Sequence, residues 1–415
     1  MTEAFLELVP RDEAVRRLLD ALSGLELKVE EIESIDSPGR VLSRGVESPE
    51  DLPGFDRSSM DGFAVSASDT FGASEGLPAY LEIVGEVLMG EAGVVAIGPG
   101  QSVRISTGGA VPPGADAVVM VENTEVSGPT LEVVKGAAPG ENVIRRDEEI
   151  SRGAVLFKKG QVIGPAQVGA LSALGITRVP VFALPLVGII STGDELVMPG
   201  ETPGPGQVRD VNSDALRSAV VRAGCVPRNY GIVGDVHRDL LEASRLALSE
   251  CDALLISGGS SAGVRDITVD VLGELGLPGV LVHGIYLKPG KPTLVAVCGG
   301  KPVVGLPGNP ASALAVFREV IAPALARLRG ESEREGAGAA RRVEAVIDRS
   351  VASATGRLEL VPVTLRRGGE VIVASPISGK SSLIGTLARA RGQVRIPEGS
   401  EGLESGQTVS VELLE

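Results

Sequence analysis

Residues 184–330 alternate short, almost wholly apolar runs with amphipathic stretches, and this alternation constrains the fold more than any other feature of the chain. The runs LPLVGIIST, VPRNYGIV, ALLISGG and VLVHGIYL are separated by segments near 213–223, 238–249 and 267–275. The first of these segments carries Leu216, Val220 and Ala223 at helical spacing. Strands that lack a polar face must be covered on both sides, so the pattern predicts a doubly wound, largely parallel sheet. A hairpin-like pair, TLVAVCG and PVVGLPG, and a long helix from Pro310 to about Leu328 complete the unit. Asn212 or Ser213 is expected to cap the first helix.

A chain of 415 residues exceeds one ordinary core, so further domains are expected. Over 11–22, Val15, Leu18, Leu19 and Leu22 form one helical stripe. Between 47 and 146 the runs YLEIVGEV, VRIST, ADAVVMVE and TLEVVKG read as a β-rich module. A second helix follows at about 165–174, entered by Pro165. The economical reading joins both helices in one discontinuous first domain, 1–46 and 147–183, with the β-rich domain 47–146 inserted. The α/β domain spans 184–330, and GESEREGAGAA is a linker. Residues 341–415 then hold five strands of a small barrel or sandwich: VEAVIDRSV, RLELVPVTLR, EVIVASP, GQVRIP and TVSVELL.

The net charge of −15 argues against nucleic acid, because a polyanion needs a cationic surface, yet a local cationic pocket could hold a small anion. Cys225, Cys251 and Cys298 have neither zinc nor disulfide spacing, which fits a reducing cytoplasm. His237 and His283 are the two histidines, too few for a multi-histidine metal site. MTEAFLELVPRDEAV contains acidic residues and no long apolar run, so neither a signal peptide nor a membrane span is read there.

Four unusual loops of the α/β region each follow an expected strand: 191–195 (STGDE), 257–263 (SGGSSAG), 288–292 (KPGKP) and 306–310 (LPGNP). Loops leaving the carboxyl ends of parallel strands line one crevice, where ligands bind. The first three are expected to converge there, and the fourth joins them if its strand is parallel. Gly258, Gly259 and Gly263 let backbone amides approach an anion. Asn309 can cap the last helix with Pro310 at its first position, and Lys288 and Lys291 add charge. Together they describe a phosphate or oxyanion site. Glu195, Asp235 and Asp266 stand beside it; bare carboxylates repel an oxyanion, which points to a hydrated Mg²⁺ between them. Plain helix capping is the alternative for Asp266, and a surface turn for Asp235.

DRSSMDGFAV, RISTGGAVPPGADAVVMVE, ISTGDEL, SGGSSAG with a following Asp, KPGKP and GLPGNPASA occur in the order found in molybdopterin molybdenumtransferases, the group that includes the gephyrin E domain. Over about 47–330 the chain resembles that family. The resemblance implies an α/β domain of molybdopterin-binding type, an inserted β domain, a C-terminal β-barrel and a homodimer with its active site between subunits. It implies insertion of molybdate into adenylated molybdopterin with release of AMP, Mg²⁺ as helper ion, and a molybdopterin adenylyltransferase as pathway partner. Carried over by position, Asp61 and Thr107 belong to the facing inserted domain. Glu195, Asp235 and Asp266 act in catalysis or metal binding. Ser257, Gly258, Gly259, Lys288, Lys291, Pro307, Asn309 and Ser312 hold the substrate. The chain departs from the family pattern at Glu149, at Ser260 and Ala262, and at Arg391. An adenylyltransferase and a non-catalytic scaffold of the same fold are the alternatives.

Overall fold

The computed structural model describes residues 7–91, 95–258, 262–332, 341–377 and 384–414; for 262–266 it describes the backbone alone. Most of the 330–340 linker lies outside these residues.

The α/β unit is a six-stranded sheet in the order Val226–Val233, Leu186–Thr192, Ala253–Gly258, Lys301–Leu306, Leu294–Cys298 and Pro278–His283. The first four strands run parallel. Leu294–Cys298 is antiparallel to both neighbours and turns into Lys301–Leu306 through Gly299–Gly300. Both glycines have positive φ, 58° and 79°, as a tight two-residue hairpin requires. Burial explains the apolar runs. Val187 and Ile189 pack on one face with Leu216 and Val220, while Ile190, Leu254 and Ile256 pack on the other with Leu240 and Leu241.

The N-terminal helix, Arg11–Ala21, departs from the expected grouping with helix Pro165–Ala173. Its Ala14, Val15 and Leu18, with Leu22, are buried in the same core as Val187, Leu216, Val295 and Val320 of the α/β unit. Apolar spacing says that a stripe is buried, not against what. Helix Pro165–Ala173 belongs to a separate core of Leu42, Val46, Ile163, Leu171, Val179 and Val181. There Val29–Glu33 pairs antiparallel with Arg178–Phe182, and Val46–Glu47 with Val155–Phe157.

The inserted module is a six-stranded sheet centred on Gly62–Val65, Gln101–Ile105 and Ala79–Val87, with apolar cores on its two faces, one of them built around Phe63. Among the described residues, every hydrogen bond of 57–144 falls within 56–144. In the C-terminal unit, Arg342–Ile347, Leu358–Gly368, Val371–Pro376, Gly392–Ile396 and Thr408–Leu413 close on themselves as a five-stranded barrel, since Leu358–Gly368 pairs with both Val371–Pro376 and Gly392–Ile396. Leu287–Lys288 adds to its edge alongside Leu358–Glu359. That pairing docks the barrel against the α/β unit and makes a cleft between them. Among the described residues no helix is long and apolar enough to cross a membrane.

Candidate active site

The expected crevice divides into two linked parts. Lys301–Leu306 is parallel to Ala253–Gly258, so the loop at Pro307 leaves the same sheet edge as those after Thr192 and Gly258. The lysine loop is set further away. Its strand, Pro278–His283, lies at the sheet margin beyond antiparallel Leu294–Cys298, and Leu287–Lys288 is tied to the barrel. Motif order gives no hint of that interposed strand.

In the first part, the Thr192 hydroxyl donates to Asp235 Oδ1 at 2.8 Å, and the Asp235 amide donates to Asp194 Oδ1 at 3.0 Å. Glu195 is exposed, and its carboxylate lies over Gly193: a β-carbon there would sit 2.6 Å from Glu195 Oε2. Gly258 ends its strand at φ +155°, and a β-carbon would meet the Thr192 carbonyl oxygen at 2.1 Å. The two strand ends are therefore in backbone contact, which only glycine permits. Ser257 is buried, and its hydroxyl accepts from Asn212 Nδ2 at 2.7 Å. It positions Asn212 rather than facing an open space. Asn212 also donates to the Gly308 carbonyl at 2.9 Å, which joins this corner to the Pro307–Asn309 loop. With its side chain so engaged, Asn212 does not cap its helix; the Asp210 carboxylate does, accepting from the amides of Asn212 and Ser213 at 2.9 and 3.1 Å. Gly259 lies outside the described residues. Asp266 falls within helix Ala262–Glu274, four residues past its start, so it is not the N-cap; its side chain is outside the description.

The second part is the cleft between the α/β unit and the barrel, with a volume of about 1150 Å³. Lys288, Lys291, Pro307, Asn309 and Ser312 all line it. Asn309 occupies the N-cap position, and its backbone carbonyl receives the Ser312 and Ala313 amides. Lys288 is ion-paired with Glu359 of the barrel at 2.6 Å, and the Ser353 hydroxyl donates to the same carboxylate at 2.6 Å. Sequence reasoning missed Arg318, Arg349 and Arg357, which line the cleft as well. No motif contains them, and two come from the barrel. Against five cations, Glu359 is the one carboxylate among the described lining residues. A chain of net charge −15 thus concentrates positive charge in one cavity.

Asp61 and Thr107 stand together on the inserted module. The Thr107 amide and hydroxyl donate to Asp61 Oδ1 at 2.7 and 3.1 Å. These bonds, the amide's first, hold the Asp61 carboxyl below its ordinary pKa. No described contact joins this pair to the crevice within the chain. Arg391 is exposed, and its backbone bridges Val363 and Leu414 inside the barrel. Glu149 is exposed and its amide donates to the Leu52 carbonyl.

A doubly wound sheet carrying an inserted β module, and a closed barrel that forms a cationic cleft against it, define a multidomain protein with an α/β core. Residues 9–175 match the MoeA N-terminal region (domain I and II), 188–327 the probable molybdopterin binding domain, and 344–414 the MoeA C-terminal region (domain IV). A putative molybdopterin biosynthesis protein of Methanocaldococcus jannaschii is 37% identical over 93% of this chain and 92% of its own length. The molybdopterin molybdenumtransferase of Bacillus subtilis is 32% identical over 98% of this chain and 94% of its own. Two crystal structures of the molybdopterin biosynthesis MoeA protein from Pyrococcus horikoshii superpose with TM-scores of 0.80 and 0.85, at 37% and 32% identity, over 99% and 98% of this chain and 100% of each. The chain belongs to the molybdopterin molybdenumtransferase family, transferases of molybdenum-cofactor biosynthesis.

Proposed function

We propose that this chain inserts molybdate into adenylated molybdopterin, giving the molybdenum cofactor and AMP. The observation that carries this reading is the cationic cleft reached by the Lys288–Lys291 and Pro307–Asn309 loops, in a chain otherwise strongly acidic. Molybdate is a tetrahedral dianion and enters as substrate. Lys288 and Lys291 offer it charge, and Ser312 a hydroxyl, while the Gly258 turn lets the pterin's phosphate approach backbone amides. Asn212 fixes the distance between the two binding parts through Ser257 and Gly308.

Mg²⁺ is part of the proposal. Among the described residues no three His, Cys, Asp or Glu side chains converge, so an all-protein cage is not what they offer. Asp194 and Asp235 meet at one corner, which suits an ion held by one or two carboxylates and the substrate's phosphate oxygens. Asp235, with Glu195 or Asp266, would hold it, and when bound it supplies polarisation of the phosphoanhydride. Asp235 is kept in place by the Thr192 hydroxyl, which orients its carboxylate for that ion.

We place Asp61 and Thr107 opposite the crevice of a second subunit in a homodimer, since within one chain they lie apart from it. The domain limits 47–146, 184–330 and 341–415 belong to the same proposal, as do 1–46 with 147–183 apart from helix Arg11–Ala21, which packs in the α/β core, and a molybdopterin adenylyltransferase as supplier of substrate. The test is an assay of purified protein with adenylated molybdopterin, Mg²⁺ and low molybdate, following AMP and incorporated metal. Both products should appear together and fall sharply in Lys288→Ala and Asp266→Asn. Pterin binding without either product would refute the reading.

A further inference from the structure

The Asp61–Thr107 pair stands at one end of the inserted sheet, and large apolar side chains stand in water around it. Strands Ala117–Met120, Gly62–Val65, Gln101–Ile105 and Ala79–Val87 are neighbours in that order. Gly62 lies opposite both Met120 and Ile105, and Ile105 opposite Val87, so all four strands present the same end. The residues just beyond it are therefore, side by side, Val121, then Met60 and Asp61, then Ser106 and Thr107, then Leu88 and Met89. Met60, Leu88, Met89 and Val121 are 44%, 53%, 64% and 43% exposed. Two contacts tie this rim to the acid. The Val121 amide donates to the Asp61 carbonyl at 3.1 Å, and Met89 packs over Gly108, where a β-carbon would lie 3.4 Å from Met89 Cε.

Exposed apolar side chains gathered in one place mark a binding surface, and the polar atoms among them say what kind of group it takes. Thr107 fills Asp61 Oδ1 with two bonds, which leaves Oδ2 without a partner among the described residues. The Thr107 hydroxyl gives its proton to Asp61 and keeps its lone pairs. Asp61 and Thr107 thus offer two neighbouring acceptors and no spare side-chain donor. An anion is repelled by that arrangement, a bare cation has no use for the apolar rim, and a hydrocarbon leaves the acceptors unpaired. A flat heteroaromatic ring with adjacent N–H groups on one edge satisfies both features. Its faces meet the apolar side chains, methionine sulfur being a favourable partner for aromatic rings, and its edge donates to the two oxygens. The dimensions agree. Val121 and Met89 are three strand spacings apart, about 14 Å between backbones. A plate touched on both faces needs about 7 Å between the flanking atoms, and the side chains fill the remainder.

We propose that Met60, Met89 and Val121 form a cradle that holds the pterin ring of the substrate, its amino edge against Asp61 Oδ2 and Thr107 Oγ1. Asp61 then binds and orients the ring while the phosphate end lies in the crevice of the α/β unit. Preference for a flat ring with an N–H edge rests on the cradle alone; its assignment as the substrate's pterin rests on the transferase reading.

The chain has no Trp, so the emission of pterin can be followed in its presence. Pterin alone, without dithiolene or phosphate, should be titrated with the full chain by fluorescence anisotropy. Met60→Ala and Met89→Ala should each weaken binding fivefold or more, and Asp61→Ala tenfold or more, while Met89→Leu keeps most of it. AMP should bind all the methionine variants alike, and their melts should match wild type because both side chains are exposed. Absence of pterin binding to wild type, or unchanged isotherms in folded methionine variants, would overturn the proposal. A loss confined to AMP would do the same. So would sedimentation showing smaller species with pterin affinity unchanged, which would make the rim a contact between subunits. Cradle-dependent pterin binding without AMP release or metal incorporation would leave the cradle standing and count against the transferase reading.

Discussion

Glu359→Gln should tighten oxyanion binding while slightly weakening the fold. Glu359 is buried to 7% exposure, and its carboxylate occupies Lys288, whose own side chain is 45% exposed. An anion bonded to the far side of that ammonium would lie about 5 Å from the carboxylate, given the 2.6 Å ion pair and a charge-assisted bond of about 2.8 Å. At an effective dielectric of about 20, unit charges at that distance repel by about 3 kcal/mol, and the half-exposure of Lys288 cuts this to about 1.5 kcal/mol. Neutralising Glu359 should therefore raise affinity roughly tenfold per unit of ligand charge. The loss in stability should be about 1 kcal/mol, between the values for surface and buried pairs, because glutamine keeps an oxygen for Ser353. Calorimetric titration with molybdate, beside a thermal melt, reads both quantities. Equal or weaker binding in Glu359→Gln would show that Lys288 is not an anion ligand in this cleft.

Three further outcomes are expected. Gly258→Ala should cost about 3 kcal/mol or more, because the new methyl meets backbone rather than a movable side chain; a melt within 2 °C of wild type, at about 2–4 °C per kcal/mol, would refute that contact. Thr107→Ala should let the Asp61 pKa rise toward its ordinary value in an NMR titration. Since the folded pKa is depressed, this contribution to stability is present above the unfolded value of 3.8 and is lost as pH falls through the folded one, so the melts of wild type and variant should differ at neutral pH and converge in acid. Burial pushes the thiols of Cys225 and Cys298 up to about 12 and about 11, so folded protein should resist alkylation near neutral pH. The sign is opposite to that of Asp61: stability is complete below the unfolded thiol value of 9.0 and declines as pH rises toward 11–12. Rapid labelling of either thiol in native protein would contradict their burial.

Much of the architecture was legible because it follows from periodicity. Strands apolar on both faces had to lie in a covered sheet, and five short alternating runs after the linker had to curl into a small β unit. The loops at Thr192, Gly258, Lys288 and Pro307 were visible as glycine-, proline- and lysine-rich interruptions after strands. Less legible was the destination of each polar group. Asn212 looked like a helix cap, yet its amide joins Ser257 to Gly308, and Asp210 two residues earlier does the capping. Both residues suit a cap by type, and only the position of the neighbouring strand end separates them.

By itself the sequence determined the local chemistry: which runs form strands, where backbone needs glycine, which loops bear lysines, and, through long ordered motifs, the family. Tertiary structure alone decided the partners. It sent helix Arg11–Ala21 to the α/β core, moved the lysine loop to the sheet margin behind an antiparallel strand, and brought Arg318, Arg349, Arg357 and Glu359 around one cleft. The physical reason is that hydrophobic periodicity is a property of a single segment, whereas charge compensation and interdomain packing depend on residues distant in the chain, such as Lys288 and Glu359, which only closure of the barrel against the sheet brings to 2.6 Å.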